Sequence, residues 1–359
     1  MKSRLKYIDL MECIGMLFVI IYHCDTYEFS FTDGGAWYYS LRYFLRTVLA
    51  SCVPLFFFAN GYLLLNHDLK LEKHIKKTIS LAALTIIWSV ITTVVLMPIK
   101  GEMLSVSDII RYALTLRAGW TSHLWFMGAL VCIYIFFPLL KSTFDFNRNA
   151  FVYFTVAVFI LTIGNELMNN LLTLAYGLLG LGAPVGHNFF MSFNPFREIK
   201  GYSFFYFCLG GLAHGRVEKI NSIAVKKRVL LSSAVLLISC GISYIYNAIV
   251  SHAIGVTSDV VVAMYGSLTT VFMVLAIYAL CLCVSIRDNS VIVAISKRTL
   301  GIYFVHEIYV NLIKRYASDL PGYDTFTGCI VVAVIVLTLS LITVLAVEKV
   351  PVVRRLLEL

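Results

Sequence analysis

The chain has 359 residues, 60% of them hydrophobic and 14% charged, with a mean hydropathy of +0.85. A water-soluble domain cannot hide that much apolar surface, so composition excludes one and points to a chain whose outer solvent is lipid. The formal net charge of +9 suggests nucleic acid, a reading that the placement of the charges removes.

The N-terminus is basic, with Lys2, Arg4 and Lys6, and runs into the apolar stretch 8–23, IDLMECIGMLFVIIYH. That stretch has no small-residue cleavage site, so it reads as a retained first helix and not as a signal peptide. It nevertheless carries Asp9, Glu12 and His23. At about 100° per residue, Glu12 and His23 differ by about 20° around a helix, with Asp9 about 40° to the other side of His23. All three share one face, with His23 ~16 Å along the axis from Glu12. Ionisable groups inside a membrane segment are expensive and face a bundle interior or a wet cavity.

Nine further apolar segments follow, near 43–65, 79–98, 123–140, 150–165, 202–215, 229–249, 267–285, 299–313 and 326–347. The expected fold is therefore an all-α polytopic transmembrane bundle of about ten helices. The sixth and ninth segments are short for a ~30 Å hydrocarbon core, which suits little tilt or broken helices. Assigning alternate connections to alternate sides puts 20 of the 29 Lys and Arg on the side that holds both termini and nine on the other. The positive-inside rule then makes both termini cytoplasmic, and the basic charge becomes a topology signal with no nucleic-acid partner. The outer connections 24–42, 99–122 and 166–201 are long. The last contains the apolar run 171–181, interrupted by Gly177 and Gly180 and followed by Gly182, which reads as a re-entrant or interfacial piece. Residues 1–359 read as one transmembrane domain with no separate soluble domain. The nine cysteines show no paired spacing and read as small buried hydrophobes.

Several polar groups could carry chemistry. His23 lies toward the outer side of its helix, and histidine titrates near neutral pH and can act as a general base. Lys73, Lys76 and Lys77 stand at i, i+3 and i+4 on one face of a helix entering the membrane. They suit a phosphorylated cytosolic cofactor as well as ordinary positive-inside charge. His123 and Trp125 open the fourth segment, where Trp125 also fits an interfacial anchor. His306 and Glu307 lie well inside the ninth and demand partners or water.

Taken in order, these blocks resemble the acyltransferase-3 family of membrane acyltransferases. The resemblance rests on Asp9 and His23 in helix one, on the run Pro54-Leu55-Phe56-Phe57-Phe58-Ala59-Asn60-Gly61-Tyr62-Leu63, and on His123-Leu124-Trp125-Phe126 followed by Tyr134 and Pro138. It continues through Phe207-Cys208-Leu209-Gly210-Gly211 to Gly301-Ile302-Tyr303 with His306, and so covers essentially the whole chain. In two places the chain departs from the family pattern. Glu12 stands where the family has an arginine, a reversal of charge, and Asn60 replaces a serine.

The resemblance implies transfer of an acyl group, acetyl by default, from cytosolic acyl-CoA to a hydroxyl of an extracytoplasmic carbohydrate, by a protein of the bacterial cytoplasmic membrane and without a metal. It makes His23 the base, with Asp9 or Glu12 paired to a basic group deeper in the bundle. Lys73, Lys76 and Lys77 would hold CoA phosphates, and Asn60, Trp125, Tyr303 and His306 would line the cavity. A transporter or flippase for a sugar or lipid-linked glycan would also use intramembrane acids and histidines as proton relays. An inactive relative acting as a scaffold is the third possibility, favoured by Glu12.

Overall fold

The computed structural model of the chain describes residues 4–24, 37–115, 119–181, 190–196, 200–255, 257–288, 290–323 and 325–354. Lys2, Arg117, Arg197, Arg355, Gly182 and most of the connection 24–42 lie outside them. The described residues are helical, with no strand among them. In chain order the first helices are α1 (Lys6–Cys24), α2 (Trp37–Thr47), α3 (Cys52–Leu65), α4 (Leu71–Lys100) and α5 (Val106–Thr115). Next come α6 (Trp125–Phe146), α7 (Arg148–Phe159), α8 (Asn165–Leu179), α9 (Tyr202–His214), α10 (Val217–Asn221) and α11 (Val225–Ile254). The last are α12 (Leu268–Cys281), α13 (Val291–Ser296), α14 (Thr299–Ala317), α15 (Phe326–Val347) and α16 (Pro351–Arg354).

Each of the ten expected apolar segments falls on helical residues, with 43–65 divided among the end of α2, a 3-10 turn at Val48–Ser51 and α3, and seven stretches are long and apolar enough to cross a membrane. The others are short or charged. α9 has 13 residues and α12 has 14, about 21 Å at ~1.5 Å per residue against a core of ~30 Å. α14 has 19 residues but carries Glu307, Lys314 and Arg315.

The helices are inside out relative to those of a soluble protein. On α11, Ser232, Ser239, Ser243, Asn247 and Ser251 are buried, while Leu230, Leu237, Ile238 and Ile245 are exposed. On α4, Thr85, Ser89, Thr92 and Thr93 are buried, while Ile79 and Val94 face outward. Small polar residues between helices and large apolar ones outside are what a lipid solvent selects.

One expected element is corrected. The run 171–181 is not a separate re-entrant piece. α7 continues through one π-helical turn, Ile160–Gly164, into α8, which ends only at Leu179. Gly177 lies inside α8 at a close approach to α11, where a Cβ would come within 3.2 Å of Ile249. Gly180 does end it, in the left-handed conformation at φ +66° that glycine adopts without strain.

The chain forms two compact units, two of whose boundaries fall inside α1 and α6. The first comprises residues 1–15, 27–68 and 140–287, the second residues 16–26, 69–139 and 288–359. In the first unit, α3 and α9 meet backbone to backbone. A Cβ on Gly61 would stand 1.8 Å from the Phe207 carbonyl oxygen, and one on Gly210 would stand 2.0 Å from that of Phe58. Around this crossing, Tyr7 and Tyr62 share a hydroxyl hydrogen bond of 2.6 Å, and Tyr206 donates to the Tyr265 carbonyl at 3.0 Å. α11 and α12 are joined by Ser243 and Thr269 hydroxyls 2.7 Å apart.

In the second unit, α14 is the element that the others grip. Trp88 of α4 stacks on Phe304, with ring planes 2° apart and centroids at 5.3 Å. Tyr309 meets the Thr343 hydroxyl of α15 at 2.6 Å, and Arg298 donates through two nitrogens to one Glu348 oxygen at 2.9 and 2.8 Å. α4 is tied to α6 by His74, whose Nε2 lies 2.7 Å from the Tyr134 carbonyl oxygen. α15 is tied to α1 by a weak Sγ–H contact from Cys329 to the Ile21 carbonyl.

Candidate active site

The second unit gathers three histidines and one carboxylate. His23 comes from the last turn of α1, His306 and Glu307 from α14, and His123 from the 3-10 turn Gly119–Leu124 ahead of α6. The ring centroids of His23 and His306 are 5.3 Å apart, those of His123 and His306 5.7 Å, and those of His23 and His123 6.4 Å. His23 Nδ1 lies 3.4 Å from Glu307 Oε2.

Each member is held from behind. His306 Nδ1 lies 2.6 Å from the Tyr303 carbonyl oxygen. A carbonyl only accepts, so Nδ1 carries the proton and Nε2 keeps its lone pair. Tyr303 itself donates its hydroxyl to the His123 carbonyl, which fixes the 3-10 turn against α14. Glu307 Oε1 accepts from Asn311 Nδ2 at 2.9 Å, one turn along the same helix. That leaves Oε2 turned toward His23.

Burial grades the site. The His23 side chain is 25% exposed and that of Glu307 17%, whereas His306 is fully buried and His123 nearly so. The Nε2 atoms of His123 and His306 are buried and have no hydrogen-bond partner among the described residues. Buried polar atoms without partners are costly unless something is brought to them. The arrangement thus offers one accessible imidazole beside a carboxylate, backed by a buried acceptor on His306 and the buried ring of His123. It can take up a proton or hold a cation.

Of the residues anticipated as site members, Tyr303, His306 and His23 meet here. Trp125, half-buried, opens α6 directly after the turn that carries His123. Lys73 and Lys76 are exposed near the start of α4; Lys77 is half-buried, with Nζ 5.6 Å from the centre of the Tyr134 ring. The remaining three belong to the first unit. Asp9 takes a two-oxygen contact from Arg4 Nε at 2.8 and 2.7 Å, just ahead of its own helix. Glu12 is half-buried on α1, and Asn60 donates to the Phe56 carbonyl one turn back at 2.9 Å.

Glu307 and His123 are the site members that sequence reasoning left out of its assignments. Each had a signal, since Glu307 adjoins His306 and His123 opens a block of the family resemblance. Neither signal says which side chains converge.

Fold and site together define a multi-pass helical membrane protein with a histidine–carboxylate centre. Residues 5–347 match the model of the acyltransferase-3 family, described as an acyltransferase domain, and the chain belongs to that family. No curated protein and no solved structure matches it.

Proposed function

We propose that the chain is an O-acyltransferase of the bacterial cytoplasmic membrane. It moves an acyl group, acetyl by default, from cytosolic acyl-CoA to a hydroxyl of an extracytoplasmic carbohydrate such as an exopolysaccharide or cell-wall glycan. The observation that carries this reading is the pairing of a partly exposed His23 with Glu307 at 3.4 Å, in a chain of this family.

In this reading the carboxylate that serves His23 is Glu307, while Asp9 is engaged by Arg4 and Glu12 lies ~16 Å away along α1. In the reacting complex Glu307 accepts the His23 Nδ1–H, which leaves Nε2 free to act as base. Hydrogen-bond distances of this kind are often long before substrate binds and shorten in the reacting complex. Nε2 takes the proton of the acceptor hydroxyl as its oxygen attacks the thioester carbonyl carbon. Negative charge develops on the carbonyl oxygen while Glu307 stabilises the imidazolium. The tetrahedral intermediate collapses, the C–S bond breaks, and His23 returns its proton to the departing CoA sulfur. The products are the glycan ester and free CoA.

The donor fits the start of α4. That helix has no side-chain cap at Lys70, so its first N–H groups and dipole are available to phosphate beside Lys73 and Lys76. Both termini are cytoplasmic in this reading, which puts α4's first turns on the acyl-CoA side. Trp125, Tyr303 and His306 line the path that the donor takes to His23.

The test is His23→Ala at matched expression. A positioned base contributes roughly 10²–10⁴-fold, so glycan esterification should vanish while acetyl-CoA affinity, by calorimetry, stays at the wild-type value. His306→Ala should cost less activity. Retention of more than about a tenth of the activity by His23→Ala would make His23 a packing residue.

A further inference from the structure

We propose that His23, His306 and Glu307 also bind one divalent transition-metal ion of the zinc class, and that this ion blocks the proton transfer assigned to His23. The binding site stands on geometry alone; the blocking rests on the proposed function. Sequence spacing gives no metal signature, because the donors come from opposite ends of the chain. The fold brings them together, with one donor atom from each residue lying within 4.8 Å of the others.

Four observations point to a ligand set. The 3.4 Å between His23 Nδ1 and Glu307 Oε2 is longer than a charge-assisted hydrogen bond. It equals the edge, about 3.4 Å, of a tetrahedron with metal–ligand bonds of about 2.0–2.1 Å. His306 Nε2 is fully buried, has no hydrogen-bond partner among the described residues, and belongs to the same donor group. The proton on His306 Nδ1 is given to the Tyr303 carbonyl at 2.6 Å, the second bond that metal-bound histidines almost always make. Asn311 fixes one oxygen of Glu307 at 2.9 Å and leaves the other pointed at the histidines.

The donor chemistry selects the ion. Two imidazoles and one carboxylate suit Zn²⁺, Co²⁺, Ni²⁺ or Cu²⁺, whereas Mg²⁺ and Ca²⁺ want oxygen shells. Three protein ligands leave a fourth position for water. His23, the most exposed member, is where the ion enters; with Nδ1 on the metal, the ring's one proton sits on Nε2, which then has no lone pair to accept a proton from the acceptor hydroxyl.

The purified full chain in detergent is titrated with Co²⁺ alone, read by its visible d–d absorption, with Zn²⁺ as competitor. One equivalent should bind with a tetrahedral-type spectrum, and Zn²⁺ should displace it. His306→Gln and Glu307→Gln should weaken binding at least about tenfold, and Asn311→Leu, which removes no ligand, by roughly 10–100-fold. Each variant is first checked for a monodisperse size-exclusion peak, and Asn311→Leu keeps the test decisive if a ligand variant misfolds. Absence of saturable binding, or binding unchanged in all folded variants, would overturn the site. In the transfer assay Zn²⁺ should inhibit wild type in competition with the glycan; a saturated site with undiminished transfer refutes the blocking role. A chain that binds one Co²⁺ but transfers no acyl group supports the site and counts against the proposed function.

Discussion

Glu307→Gln should lower kcat for acyl transfer and leave acetyl-CoA affinity unchanged. The substitution keeps shape and the Asn311 contact, and it removes only the charge that faces His23. At the observed 3.4 Å, the attraction between carboxylate and imidazolium is about 5 kcal/mol at an effective dielectric of about 20 and about 1 kcal/mol in bulk water. Side chains 25% and 17% exposed sit between those limits. About 2–3 kcal/mol of imidazolium stabilisation is therefore at stake, or roughly 30- to 160-fold in rate at about 1.36 kcal/mol per decade. The assay follows labelled acetyl groups from acetyl-CoA into purified acceptor glycan, with donor affinity measured separately by calorimetry. Glu307→Asp keeps the charge at a longer reach and should restore part of the loss. A fall of less than about threefold in kcat, or a loss matched by a drop in donor affinity, would refute the pairing as the source of catalysis.

Replacing Lys73, Lys76 and Lys77 together by Gln should weaken acetyl-CoA binding more than about tenfold, since a lysine–phosphate hydrogen bond is charge-assisted and glutamine cannot supply the charge; unchanged calorimetric affinity would return them to topology charges. Gly61→Ala should destabilise the first unit by about 1–3 kcal/mol or prevent folding, because the new Cβ meets the Phe207 carbonyl at 1.8 Å. A wild-type melting temperature for Gly61→Ala would show that the α3–α9 crossing is looser than described. Reporter fusions after Asp145, Glu218 and Asp288 should all report cytoplasm, and an external signal at any of them breaks the assignment of both termini to that side.

Much of this protein was legible from its sequence because membrane segments announce themselves locally. Every expected apolar segment falls on helical residues, since a lipid solvent forces backbone hydrogen bonds to close within each segment. The run at 171–181 shows the limit. Its glycines read as breaks, yet Gly177 is an interhelical contact and only Gly180 turns the chain. The block matches around Asn60-Gly61 and Gly210-Gly211 were equally visible, but their purpose was not. They let α3 and α9 approach backbone to backbone, a fact about two helices that neither sequence contains alone.

The site divides the same way. His23 and His306 were recognisable as costly residues in apolar helices. Helical periodicity also placed Asp9, Glu12 and His23 on one face, but a shared face is not proximity, and ~16 Å along the axis separates the last two. His23 instead meets Glu307, and His123 joins them through a 3-10 turn pinned by Tyr303. Periodicity and solvent act over one turn to one helix, so the sequence reveals them directly. Which lone pairs converge depends on how α1, α14 and the turn before α6 pack together, and only the tertiary structure decides that.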